Sequence, residues 1–440
     1  MDFILFLAVN AVLFLRPSEL VPELRPYPIY YFAIVACLFF SVIRLIRFFM
    51  VDPVRRHPSV TLMFGMLGFA VISLTLNSDK PLDGISEMSK VMTYFVLFLS
   101  LVHTSGRLRA VTGVVAICLM TTSIVGILHF KDVISVQALE MKGELVQDPV
   151  TLDWHNLKRL RFTGMIQDPN EVAVLLTVMF FLCGYQWRHR AYGIFRHLWT
   201  LPMGIFLGAI GFTMSRGGLL ALIVGTVVFA VYRYSSKRAL VFSSFALVAL
   251  FLLFAGRQTE ISSSTTTGAG RIGLWSDWLD EFRQSPVIGV GPKFEAEEVV
   301  VAVDQAAEKH CAHNSYLQGY ADLGFFGGAC FLGAFLFAFG TLHQYGFGRT
   351  YILDPEAQRL LPYLMASLAA YMTGMMTLML NYLTSTMFVL ALPLAYWGMT
   401  PCYPSVRIGR LGVESLFRLA LASVGYLAFI YVFVRLFRNY

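Results

Sequence analysis

The sequence predicts an all-α protein, a polytopic membrane helix bundle, on three observations. Of the 440 residues, 57% are hydrophobic and only 14% are charged. The mean hydropathy is +0.65. About 12 or 13 apolar runs are long enough to form transmembrane helices. A soluble protein could not keep so much apolar surface away from water, so the composition excludes a soluble globular domain.

The apolar runs define the predicted spans. The first run is short and is similar to a signal-peptide core, but Asp2 replaces the usual basic start and no small-residue cleavage site follows. We therefore expect this run to be retained as a span. The runs lie near 3–15, 28–46, 59–76, 89–103, 109–129, 171–187, 198–214, 217–232, 239–255, 321–342, 360–380, 384–398 and 416–434.

Basic residues in alternate loops predict the orientation, because cytoplasmic loops of membrane proteins carry an excess of Lys and Arg. The net charge of +7 is mostly this topology signal. It does not indicate nucleic-acid binding, for which a basic soluble domain would be expected. The loops predicted to be cytoplasmic carry Arg44, Arg47, Arg55, Arg56, Arg107, Arg109, Arg188, Arg190, Arg196, Arg233, Lys237, Arg238, Arg349, Arg359, Arg407 and Arg410.

The intervening loops then face outward, and two of them are long, at 130–170 and 256–320. The chain accordingly divides into transmembrane helices at 1–255, an outward loop with short amphipathic helices at 256–320, and C-terminal transmembrane helices at 321–440. With 13 spans the tail "RLFRNY" falls outside, against the charge rule. The sequence leaves the C-terminal topology open.

Polar side chains near the bilayer are functional candidates, because burying them in lipid is costly. The first group is in "RLRFTGMIQDPNEVAVLL", 159–176. Asp168 or Asn170 is suited to cap the helix that starts there, and Glu171 suits its first turn. The segment is therefore either a plain helix start or part of a site. Arg159 and Arg161, just upstream, are unexpected in an outward loop.

The second group is in "FTMSRGGLLAL", 212–222, where two apolar runs meet almost without a loop. Arg216 lies at the rim of this hairpin. One interpretation is an arginine that extends to lipid headgroups. The other is a guanidinium that binds an anionic headgroup, since its planar fork matches phosphate.

The third group is in the loop 256–313. Trp275, Trp278, Leu279 and Phe282 have the i, i+3, i+4, i+7 spacing of one helix face. Such a face suits the membrane interface or simply covers the bundle. Arg271 lies one turn before Trp275. Pro286 ends this helix, and "GVGP", 289–292, predicts a tight turn.

His310 and His313 are three residues apart at the end of this loop. Their spacing permits a metal pair, with nearby glutamates as further ligands. A capping or packing role for His313 is a second interpretation. The third is a histidine with a near-neutral pKa that accepts a proton where water meets the membrane. No P-loop and no G-x-S-x-G motif occurs, so neither nucleotide hydrolysis of that type nor serine-hydrolase chemistry is supported.

Taken in order, these motifs resemble those of the O-antigen ligase and O-antigen polymerase superfamily. The resemblance by motif covers about 155–330, and its part from Arg271 onward is the most specific. One departure is Asp322, where the family more often has glutamate. The matching residues are Arg161, Gly164, Asp168-Pro169-Asn170, Ser215-Arg216-Gly217, Arg271, Trp275, Pro286, Gly289-Val290-Gly291, His313-Asn314-Ser315-Tyr316-Leu317 and Leu323-Gly324-Phe325-Phe326-Gly327.

The resemblance implies a multi-pass protein of the bacterial inner membrane with a large periplasmic loop. Proteins of this superfamily resemble metal-independent, inverting glycosyltransferases of the C-type membrane class. The resemblance therefore implies transfer of a glycan from undecaprenyl diphosphate to an acceptor without a cofactor. By this resemblance His313 would be the catalytic base, and Arg216, Arg271 and Arg161 would bind the diphosphate. The supporting residues would be Asn314, Asp168, Asn170, Trp275 and Tyr316.

The resemblance includes both polymerases, which extend a lipid-linked chain, and ligases, which use a lipid A core or a protein as acceptor. We favour a polymerase, because nothing in the sequence suggests a dedicated protein or lipid A site. Membrane lipids are the remaining expected partners. We do not expect the protein to bind nucleic acid. Two other hypotheses stay open: a transporter or flippase for a lipid-linked oligosaccharide, and a non-catalytic subunit of a polysaccharide assembly complex.

Overall fold

The computed structural model describes most of the chain. Most of the predicted span at 239–255 and much of the two long outward loops, with His310, Cys311 and Gly164, lie outside the described residues. The described residues are 1–139, 144–147, 154–157, 159–163, 166, 168–234, 237–238, 241–244, 266–292, 312–348, 350–406 and 411–437.

The structure is built from α-helices. Short 3-10 helices cover Pro22–Leu24, Pro53–Arg56, Gln137–Leu139 and Arg190–Trp199. Two antiparallel pairs join β1 (Glu144–Gln147) to β2 (Trp154–Leu157) and β3 (Tyr351–Ile352) to β4 (Cys402–Tyr403). The α-helices are α1 (Asp2–Leu15), α2 (Pro17–Leu20), α3 (Ile29–Met50), α4 (Pro58–Asn77), α5 (Pro81–Leu101), α6 (Ser105–Phe130), α7 (Pro169–Arg188), α8 (Thr200–Thr213), α9 (Arg216–Arg233), α10 (Thr266–Gln284), α11 (Ser315–Phe347), α12 (Pro355–Met375), α13 (Thr384–Met399) and α14 (Val413–Phe437).

Nine helical segments among the described residues are long and apolar enough to cross a membrane. The predicted runs at 89–103, 360–380 and 384–398 correspond to α5, α12 and α13, which pack within the same bundle. The rings of Phe98 in α5 and Phe388 in α13, for example, meet edge to face at 5.8 Å. The predicted fold class, a polytopic membrane helix bundle, is confirmed.

The loops predicted to be cytoplasmic meet at one end of the bundle. Arg109 at the start of α6 forms an ion pair with Glu356 of α12 at 2.5 Å. The strands β3 and β4 join the loops that follow α11 and α13. We call this the basic end. These contacts place the loops on one end of the bundle, as the prediction that they share one side of the membrane requires.

The remaining loops meet at the opposite end. Leu160 N donates to Phe212 O at 3.1 Å, and Asn77 Nδ2 donates to Gly289 O at 3.2 Å. The C-terminal half of α14 also lies there, because the ring of Phe433 is 5.8 Å from that of Trp275 in α10. The end of α14 therefore lies at the same end of the bundle as the loops predicted to face outward.

A break in α11 fixes the turn that follows α10. The helix is interrupted at Gly324, whose φ of 69° is unfavourable for a residue with a side chain. Phe325 N, freed by the break, donates to Pro286 O at 2.7 Å, and Val290 N donates to Ala321 O at 2.9 Å. The backbones approach so closely that a Cβ on Gly289, which has φ 80°, would lie 2.2 Å from Asp322 O.

We predict that Gly289→Ala destabilises the protein, because alanine adds both a clash with Asp322 and an unfavourable φ, at a cost of about 1–3 kcal/mol for the backbone alone. The thermal unfolding midpoint in detergent should fall. Gly273→Ala, on α10 with no atom within 4 Å of the added Cβ, is the control and should leave the midpoint unchanged or slightly raised. Equal midpoints for the two variants would contradict the docked turn.

A buried histidine stabilises the basic end. His57 is 0% exposed and caps α4, where its Nδ1 accepts from Ser59 N at 3.1 Å. The other ring nitrogen, Nε2, therefore carries the proton and donates to Thr341 Oγ1 at 3.0 Å. Burial lowers the pKa of His57 to about 3. The ring is neutral in the folded protein over the physiological pH range.

The low pKa of His57 predicts a loss of stability in mild acid. An unfolded histidine titrates near 6.5, so below that pH the unfolded chain binds a proton that the folded protein does not. The free energy of unfolding should then fall by up to about 1.4 kcal/mol per pH unit between about pH 6 and pH 4. His57→Asn, which keeps a capping oxygen but does not titrate, should show a shallower decline in thermal midpoints from pH 7 to pH 5. Parallel curves would refute this effect.

Candidate active site

His313 lies in a tight turn that leads into α11. Its φ of 45° is in the left-handed region, which a non-glycine residue adopts only when its surroundings hold it there. Asn314 follows and caps α11, its Oδ1 accepting from Leu317 N at 3.2 Å. Ala312 and Asn314 are both fully buried, whereas His313 is partly exposed. The turn thus presents the imidazole from a rigid base.

Trp275 of α10 holds this turn from one side. Its Nε1 donates to Ala312 O at 2.9 Å. Trp278 and Leu279 pack on the same side, in a small core with Ala312 and Leu317. The predicted apolar face of α10 is therefore buried against the start of α11, while Asp277 and Asp280 are exposed. The helix covers the bundle and also positions the His313 turn.

Arg271 lies one turn before Trp275, in a group of charges. Burial lowers the pKa of Arg271, the positive charges of Arg159 and Arg216 lower it further, and the carboxylate of Asp168 opposes them. Residues at i and i+4 of a helix are about 5–6 Å apart at Cβ. Since Trp275 contacts the His313 turn, Arg271 lies one helical turn from the residue that anchors that turn.

We define the arginine group as Arg159, Arg216 and Arg271. The N-termini of two helices, α7 and α9, lie beside it. Asp168 caps α7 and accepts from Asn170 N at 2.7 Å and Glu171 N at 3.2 Å. Ser215 caps α9 and accepts from Gly218 N at 3.0 Å. Helix N-termini carry partial positive charge, so their dipoles add to the arginine charges.

The chain segment at 159–163 joins these two helix starts. Arg159 donates from Nε to Thr213 O at 2.9 Å and from Nη2 to Asn170 Oδ1 at 2.7 Å. A Cβ on Gly218 would lie 2.3 Å from Ala173 Cβ, which shows how closely α9 approaches α7. Within the part of the chain that the structure describes, the guanidinium groups of Arg216 and Arg271 form no hydrogen bond. The arrangement is suited to bind an anion.

The structure brings together most of the residues predicted for the site. Arg216, Arg271 and Asp168 form the charged part with Asn170, whose side chain binds Arg159. Trp275 and Asn314 frame His313. Tyr316 is buried and donates to Met372 O at 3.3 Å, so it supports the first turn of α11 through α12.

Arg161 is placed differently from Arg159. Its backbone carbonyl packs against Gly126 of α6, where an added Cβ would lie 3.1 Å away. Arg159, which the sequence marks only as an unexpected outward arginine, contributes the third charge around Arg271. Tyr426 of α14 is a further residue that the sequence does not single out, and its hydroxyl donates to Asn314 Oδ1 at 2.8 Å.

Among the described residues, no group of three His, Cys, Asp or Glu side chains is suited to hold an ion. The metal interpretation stays untested, because it rests on His310 and nearby glutamates that lie outside those residues. The described side chains at the site are guanidinium, carboxylate, imidazole and amide groups, and they lie beside two helix N-termini.

The comparison with protein families gives one match. The family model described as O-antigen ligase matches residues 201–332, a segment that includes Arg216, Arg271 and His313. The predicted resemblance to the O-antigen ligase and polymerase superfamily is thereby confirmed. The match supports a multi-pass membrane protein, a glycosyl-transferring enzyme, and a general role in lipid-linked glycan ligation or polymerisation. No curated protein matches the chain.

We predict that the arginine group binds inorganic diphosphate. Arg271→Gln should weaken binding about 10- to 100-fold, because a hydrogen bond to a charged group contributes about 1.5–3 kcal/mol. Isothermal titration of the purified protein in detergent measures the change. Arg283→Gln removes the same charge from an exposed position of α10, where Arg283 pairs with Asp280, and should bind like wild type. Equal weakening in both variants would indicate a nonspecific charge effect and contradict the site.

Proposed function

We propose that the protein transfers a glycan from an undecaprenyl diphosphate-linked donor to an acceptor, at the periplasmic face of the bacterial inner membrane. The reaction is metal-independent and inverting, and the enzyme is an O-antigen or exopolysaccharide polymerase or ligase. One observation carries the proposal: Arg271 of the arginine group and the anchor of the His313 turn, Trp275, lie one turn apart on the same helix.

The arginine group suits a diphosphate leaving group. As the glycosidic bond breaks, negative charge grows on the phosphate oxygens, so fixed guanidinium groups stabilise the transition state more than the bound donor. Arg216 and Arg271 supply such groups beside two helix N-termini, and Asn170 holds Arg159 in place. The loss of one such contact would cost about 3–4 kcal/mol of activation free energy.

His313 suits the role of general base. A sugar hydroxyl is a weak nucleophile, and a positioned base contributes roughly a hundred- to ten-thousand-fold to the rate. In the proposed step the acceptor oxygen attacks the anomeric carbon from the face opposite the diphosphate. The imidazole takes the hydroxyl proton, the C–O bond to phosphate breaks, and the lipid diphosphate leaves with that electron pair. A single displacement inverts the anomeric centre.

The position of the site suits a lipid-linked donor. The arginine group lies where α7 and α9 begin, at the end of the bundle opposite the basic end. The apolar polyprenyl tail of such a donor lies in the bilayer, and its charged diphosphate lies at the membrane–water interface. A transporter would need the arginines but would not need a histidine turn anchored to the same helix as Arg271. This juxtaposition favours the enzyme over the flippase and over a non-catalytic subunit.

The test is glycan transfer by the purified protein, with a short undecaprenyl diphosphate-linked oligosaccharide as donor and EDTA present. We expect wild type to be active, and Arg216→Ala and His313→Ala to lose about a hundredfold or more in rate. Longer lipid-linked chains from the donor alone would identify a polymerase. Transfer only after addition of a lipid A core or a protein would identify a ligase.

His343→Ala is the matched control. His343 lies on α11 beyond the break and contacts Tyr232 Oη at 2.6 Å, far along the helix from the His313 turn. This variant should keep full activity at equal thermal stability. A wild-type protein that is inert with every acceptor class would overturn the enzyme proposal, and a fully active His313→Ala would overturn the assignment of the base.

A further inference from the structure

We propose that Tyr426, on the C-terminal helix α14, is a positioning residue that acts through Asn314 to hold the His313 turn ready for glycan transfer. The inference rests on the proposed function and assigns a role to a helix outside the matched segment 201–332. Tyr426 touches Asn314 rather than the reacting groups, so its effect on the reaction is indirect.

The hydroxyl of Tyr426 is fixed in place. Its ring stacks on Tyr320 at 6.0 Å between centroids and meets Tyr316 edge to face at 5.8 Å. From this packed position Oη donates to Asn314 Oδ1 at 2.8 Å. Aromatic packing on two sides leaves the phenol little freedom, so the hydrogen bond restrains Asn314 more than it restrains Tyr426.

Asn314 has an orientation that needs this restraint. Its Oδ1 accepts from both Leu317 N and Tyr426 Oη. Its Nδ2 is fully buried and has no hydrogen-bond partner among the described residues. A buried donor without an acceptor is unfavourable, so the amide keeps this orientation only because Oδ1 accepts two hydrogen bonds. These two bonds hold the amide beside His313.

The His313 turn is therefore held at both of its neighbouring residues. Trp275 of α10 binds the carbonyl before it, at Ala312, and Tyr426 of α14 binds the side chain after it, at Asn314. A left-handed histidine is strained and persists only under such restraint. Loss of the Tyr426 hydroxyl removes one of these restraints and lets the imidazole leave its productive position.

The experiment compares Tyr426→Phe with Tyr431→Phe in the transfer assay. Both variants lose one hydroxyl from α14, and Tyr431 faces Arg283 and Arg435 instead of the turn. For Tyr426→Phe we expect kcat to fall about tenfold, with KM for the donor and the affinity for inorganic diphosphate unchanged, because the arginine group is not touched. Tyr431→Phe should match wild type in all three quantities.

A double-mutant cycle separates positioning from general destabilisation. If Tyr426 acts through Asn314, then Asn314→Ala/Tyr426→Phe should have the kcat of Asn314→Ala alone, within about twofold. Multiplicative losses would instead show an independent structural effect and overturn the inference. Rates are normalised to the folded fraction from size-exclusion chromatography, so a less stable variant still gives a kcat.

The outcomes distinguish this inference from the proposed function. Suppose that wild type is active, His313→Ala is inactive and Tyr426→Phe is fully active. This result would refute the positioning role and leave the proposed function intact. Weaker diphosphate binding by Tyr426→Phe would also refute it, since the helix would then support the arginine group. A wild type that transfers no glycan would overturn both.

Discussion

The hydrogen bond from Trp275 Nε1 to Ala312 O is the contact on which the site depends. It fixes α10 to the start of α11, and it therefore sets the distance between Arg271 and the His313 turn. The apolar face of α10 adds buried area around this bond, and the docked turn at Pro286–Gly291 secures the far end of the helix. Without these contacts α10 would be an amphipathic helix at the membrane surface, and the arginine group would lack its central member.

Hydropathy and charge were sufficient to predict the bundle, because the bilayer imposes both the length of the helices and the side on which basic loops gather. The cap at Asp168 and the buried face of α10 were also readable, since both depend on local spacing. The contacts of Arg159 could not be predicted in this way, and the role of Arg161 stays a prediction. The two are separated by one residue in an extended segment, and only the tertiary contacts of Arg159 with Thr213 and Asn170 distinguish them.

Tyr426 shows a second limit of sequence patterns. It lies 112 residues from Asn314 in a helix whose residues are mostly not buried, and only the packing of α14 brings its hydroxyl to the His313 turn. The break at Gly324 was equally hidden, because "LGFFGG" fits a continuous apolar helix. Glycine permits the break, and the turn at Pro286–Gly291 stabilises it by using the freed backbone groups.

The arginine group also bears on how the proposed reaction ends. Under the proposed function, three positive side chains beside two helix N-termini would recognise a diphosphate, and the lipid diphosphate that leaves would carry more negative charge than the glycosylated donor. Such a site should hold its product at least as firmly as its substrate. Turnover would then be set by departure of the spent carrier into the bilayer rather than by bond breaking. Removal of that carrier would control the flux of glycan through the membrane.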